Sequence, residues 1–147
     1  MDEGWKAHKD ADARRRSAVR LAEAILSVAE DLTEPHLKEA LSLAIWKYTE
    51  ADGKNRTRFR SKAAIGAPAS MINHEHVVTR RSLITRMVAS PDRVEDILGT
   101  AIACCVLRNE HKQLALVEKE NPELVGWERY RAAGIEVVDQ ATGELVS

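Results

Sequence analysis

Residues 71–88, MINHEHVVTRRSLITRMV, change hydrophobic period halfway through, and that change decides the fold class. Ile72 to Val78 is short, β-branched near its end, and reads as a strand. Thr79 can then cap a helix that carries Leu83, Ile84, Met87 and Val88 at three- and four-residue spacing. A similar succession recurs downstream. Ser90-Pro91 opens a short helix through Val94, Ile97 and Leu98, with Gly99 as its stop. Thr100 to Leu107 (TAIACCVL) is apolar enough for a buried strand, although period alone leaves a continuing helix open there. Asn109 is placed to cap a helix from Glu110 to about Glu120, ended by Asn121-Pro122.

Upstream, two stripes of three- and four-residue spacing predict an αα-hairpin. Val19, Ala22, Ile25, Leu26, Ala29 and Leu32 form the first, over about Asp10 to Asp31. Leu37, Ala40, Leu41, Ala44, Ile45 and Tyr48 form the second, capped by Thr33, with Pro35 tolerated in its first turn and Gly53 as a stop. Downstream, Gly126 to Tyr130 reads as one or two helical turns closed by Gly134. Ile135 to Val138 then pairs with Glu144 to Val146, with Gly143 supplying a positive φ in the hairpin. The expected class is therefore α+β and mostly helical. A helical arm over residues 1–53 precedes an α+β region over 54–147 that ends in a β-hairpin, and together they are expected to make one compact unit.

Composition narrows the function classes. A length of 147 residues with 44% hydrophobic and 31% charged side chains fits one globular domain with a core of Leu, Ile, Val and Ala. Net charge is -1, which argues against a surface coated all over with nucleic acid and leaves room for a local basic patch. Cys104 and Cys105 are adjacent, so neither a disulfide framework nor a CxxC metal knuckle is readable, and both thiols are expected in the core. No apolar leader follows Met1-Asp2-Glu3, and no apolar run approaches the roughly 20 residues that span a bilayer. The expectation is a cytoplasmic protein without a membrane partner.

Three features could carry chemistry. On a strand His74 and His76 share one face and Glu75 takes the other. Two imidazoles on one face can ligate a divalent metal; alternatively Glu75 ligates the ion while His76 takes a proton from the attacking water. A polar strand end with hydrogen-bonded histidines is the plainer reading. Glu110-His111 falls in the first turn of a helix, where the dipole favours a neutral imidazole and free N–H groups welcome a phosphate. An acid there also helps any helix. The third feature is Lys54, Arg56, Arg58, Arg60 and Lys62, five cations with no acid between them and Phe59 among them. As a strand they share one face and can track a phosphate backbone; as an edge strand they resist aggregation; and they can also meet an acidic protein.

Glu75-His76-Val77-Val78-Thr79 resembles the first motif of HNH-type endonucleases, an acid and a histidine followed by two aliphatics. Arg108-Asn109-Glu110-His111-Lys112 resembles, more loosely, their second motif. The resemblance covers about ten positions. It implies a ββα metal site with a divalent ion (Mg, Mn or Zn), His76 as general base, and Glu75 and His111 as metal ligands. Asn109 would orient a loop, His74 remains a further candidate ligand, and DNA or RNA would be the substrate. Thr79 stands where the family usually has proline, the glycine pair of the first loop is absent, and a helical insertion separates the motifs. The sequence thus offers a metal-dependent nuclease or a degenerate relative. The alternative is a non-enzymatic module whose helical hairpin binds a protein partner or a second copy, or whose cationic run binds nucleic acid.

Overall fold

A computed structural model describes residues 4–147; the leader Met1-Asp2-Glu3 lies outside the described residues. The chain forms two compact units that interleave in sequence. One comprises His8–Asp52 and Val78–Ile102; the other comprises residues 4–7, Gly53–Val77 and Ala103–Ser147. The chain passes between the units after Ala7, after Asp52, after Val77 and after Ile102. Hydrophobic period reports local structure only, so it could not assign residues 78–102 to the helices of the arm.

The first unit is all helical. It contains α1 (Ala11–Ser27), α2 (Glu34–Thr49), α3 (Arg80–Ala89) and α4 (Val94–Leu98). Helix α1 ends four residues before the expected Asp31, and Ala29–Asp31 continue as a 3₁₀ turn. Thr33 caps α2 by accepting from the His36 N–H at 3.4 Å, and Thr79 caps α3 by accepting from Ser82 N–H at 3.2 Å. The stripes meet in one core, where Ala22, Leu41, Ala44, Ile45, Leu83, Met87 and Leu98 are fully buried. Each large aliphatic side chain there contributes about 1.5–3 kcal/mol by leaving water. The Arg14-Arg15-Arg16 run is partly structural. Arg14 donates to Ala51 O at 2.9 Å and Arg15 to Asp52 Oδ2 at 2.8 Å, tying α1 to the end of α2.

The second unit is a mixed five-stranded sheet with two helices. Its strands are β1 (Phe59–Ser61), β2 (Ile72–His76), β3 (Ala103–Leu107), β4 (Val137–Asp139) and β5 (Glu144–Leu145), in the order β2-β3-β1-β4-β5. The helices are α5 (Arg108–Glu120) and α6 (Trp127–Ala132). β3 pairs antiparallel with β2 and parallel with β1, and β4 is antiparallel to both β1 and β5. The C-terminal hairpin closes through Gly143 at φ 79°, the left-handed position that glycine adopts without strain. Cys104, Cys105 and Val106 are fully buried in β3, as its apolar run requires. No helix among the described residues is long and apolar enough to cross a membrane.

Candidate functional site

β2, β3 and α5 form a ββα arrangement whose register fixes which side chains meet. Glu75 lies opposite Cys104, His74 opposite Cys105 and His76 opposite Ala103. Directly opposed residues share a face and neighbours along a strand alternate, so Glu75 and Cys104 point one way and His74, His76 and Cys105 the other. On the Glu75 face lies α5. It starts at Arg108, immediately after β3, so its first turn is delivered beside β2 without an intervening loop. There the Nδ1 of His111 stands 2.5 Å from Glu75 Oε2. Glu75 is largely shielded, with 14% of its side chain exposed, whereas His111 is 47% exposed. The carboxylate is shielded and the imidazole faces solvent.

The neighbouring acid has a different role. Glu110 is buried, and its Oε1 accepts from Ser61 Oγ at 2.5 Å and from Leu107 N–H at 2.9 Å. It staples the first turn of α5 to β1 and to the end of β3. Asn109 was expected to cap this helix; instead it lies inside the first turn, with its Oδ1 accepting from Glu110 N–H at 3.0 Å. The Glu110 carboxylate, not the Asn109 side chain, answers the Leu107 N–H at the helix entrance.

His74 and His76 do share a face, their ring centroids 5.1 Å apart. His76 is buried. Strand alternation therefore puts both imidazoles on the face opposite Glu75, so the base implied at His76 does not share a face with the ligand implied at Glu75. Among the described residues no group of three or more His, Cys, Asp or Glu side chains is disposed to hold a metal. Two donors, one of them a carboxylate, suit a hydrated magnesium or manganese ion, which keeps most of its waters.

The cationic run does not form the expected strip. Only residues 59–61 are strand, and three of the five cations engage groups distant in sequence or in the following turn. Arg58 grips Asp139 through two bonds, Nε to Oδ1 at 2.8 Å and Nη2 to Oδ2 at 2.7 Å. That fork holds the Asp139 carboxyl below its ordinary range, and the Asp139 bond raises Arg58 in return. Arg60 donates to the carbonyls of Asn55 and Ala64. Lys62 pairs with Glu136 at 3.5 Å. Phe59 is met edge-on by Trp127, with centroids 5.3 Å apart. Lys54 and Arg56 remain exposed.

Comparison with protein-family models, with curated proteins and with solved structures returns no match. The arrangement therefore stands on its own geometry. One residue beside it carried no sequence signal. Arg129, in α6, is 2% exposed, and its Nη2 donates to the carbonyls of His76 and Val77, each at 2.9 Å. An arginine in a short polar helix reads as surface, because arginine is almost never fully buried. Tyr130 is buried beside it, and burial, with Cys104 and Glu75 nearby, pushes its phenol far above the usual range. Burial likewise raises the Cys104 thiol, so it is unsuited to act as a nucleophile.

Proposed function

We propose that this protein is a divalent-metal-dependent phosphodiesterase of HNH-like design acting on nucleic acid, with Glu75 and His111 as its metal-holding pair. The 2.5 Å contact between a strand carboxylate and a helix imidazole within a ββα arrangement carries the reading. The contact brings a carboxylate oxygen and a ring nitrogen, two donor atoms that a divalent cation accepts, to one point. When bound, the cation would polarise a scissile phosphate and acidify a coordinated water.

The chain supplies the remaining parts around the pair. His111 sits in the first turn of a 13-residue helix, whose N-terminal end attracts anions. Arg108, three residues before it, lies on the same helix face, and Lys112 follows it; both are exposed. These positive groups would hold the phosphate where Glu75 and His111 meet it. Seating the pair on a strand and a helix, not on loops, keeps its geometry within narrow limits.

A second reading has its own observation. His76, the base that the HNH resemblance implies, is buried on the other strand face. A degenerate relative that binds metal and nucleic acid without cleaving fits that placement.

Supercoiled plasmid with manganese separates the two. The expected result is nicking that chelator abolishes and that fails with calcium in place of manganese. Folded protein that retards DNA without nicking it in either magnesium or manganese would sink the hydrolytic reading in favour of the binding one.

A further inference from the structure

β2 lies at the edge of the sheet, so β3 alone holds it on one side. The strand that carries Glu75 therefore needs a second restraint if its carboxylate is to stay on His111. Arg129 supplies one. A single guanidinium nitrogen takes the carbonyls of His76 and Val77, the two residues immediately after Glu75. Its Nη1 reaches Glu118 of α5 at 3.8 Å. The side chain thus braces the exit of β2 and touches the helix that bears His111. Its ring-ward face lies 5.9 Å from the centroid of Tyr130.

Burying a guanidinium is an expensive way to fill space. Arg129 is 2% exposed, and among the described residues its carboxylate contact is long and its Nε finds no acceptor. An apolar side chain of similar volume would pack there at lower desolvation cost. What the arginine adds is a fixed position for two carbonyls, set by a rigid planar fork. We propose that Arg129 is a positioning residue for the Glu75–His111 pair, holding the end of β2 so that the carboxylate remains against the imidazole. The inference rests on the reading of that pair as the functional site.

The test uses a readout that needs no turnover. A carboxylate held against Nδ1 favours the tautomer that carries the ring proton on that nitrogen, in which the two ring nitrogens differ in ¹⁵N shift. Long-range ¹H–¹⁵N spectra at alkaline pH are recorded on wild type, Arg129→Gln, Arg129→Met and Ile135→Ala. Ile135 is buried in the same unit and lies outside β2 and α5, so its variant controls for general loosening. Wild type and Ile135→Ala are expected to show the Nδ1-protonated form. Both Arg129 variants are expected to show a tautomer mixture, and Arg129→Gln to nick plasmid about tenfold to a hundredfold more slowly at unchanged KM. Arg129→Gln keeps an amide donor for one carbonyl, so it decides the matter if Arg129→Met does not fold. A folded Arg129→Gln with the wild-type pattern would overturn the assignment, as would its loss in Ile135→Ala. Absence of nicking by wild type strikes the hydrolytic reading alone, since the spectra do not depend on it.

Discussion

His111→Ala is expected to lower manganese-dependent nicking by about a hundredfold while lowering the melting temperature by no more than about 4 °C. Changing groups that merely orient a metal ligand already costs 10- to 100-fold, and His111 is one of the two donors proposed for the ion, so its loss belongs at the upper end. Stability should hold for independent reasons. The imidazole is 47% exposed, and alanine favours a helix interior more than histidine does. Glu75 loses a partner but keeps some access to water. Plasmid nicking and thermal melting on the same preparation check both halves. Equal nicking by variant and wild type would mean that the activity lies elsewhere.

Glu110→Ala should do the reverse. Its carboxylate answers a hydroxyl and a backbone N–H in a buried setting, and removing it leaves both donors without that acceptor. Each such loss costs about 1–3 kcal/mol, so about 2–6 kcal/mol is expected in all. For a chain of this size about 2–4 °C is lost per kcal/mol, placing the melting temperature roughly 10 °C lower. Glu110→Gln keeps a carbonyl oxygen to accept both bonds and should recover most of the loss. Nicking by Glu110→Ala below its new melting point should stay near wild type in rate per folded molecule. A variant that melts like wild type yet has lost activity would exchange the roles assigned to these two neighbours.

That exchange of roles within one dipeptide shows where sequence reading stopped. The placement of Glu110-His111 in a helix's first turn was legible, as were the two hairpin helices, the caps at Thr33 and Thr79 and the turn at Gly143. Each depends on neighbours in the chain. Which of the two side chains would be buried depends on Ser61, 49 residues away, and nothing local points to it. The cationic run misled for the same reason. Arg58 finds its acid 81 residues downstream, so a stretch that lacks acids in sequence is not free of them in space. Alternation along β2 was readable, and it put His74 and His76 together and Glu75 apart. Bringing His76 and Glu75 to a common ion with His111 ran against that period, and the strand geometry prevailed.

Whether Glu75 and His111 share one cation is tested most directly by a crystal soaked in manganese. The expected result is an anomalous-scattering peak between them, about 2.1 Å from a carboxylate oxygen and from a ring nitrogen, its remaining positions filled by water. A peak on His74 and His76 instead, or none beside a pair that keeps its 2.5 Å contact, would contradict it.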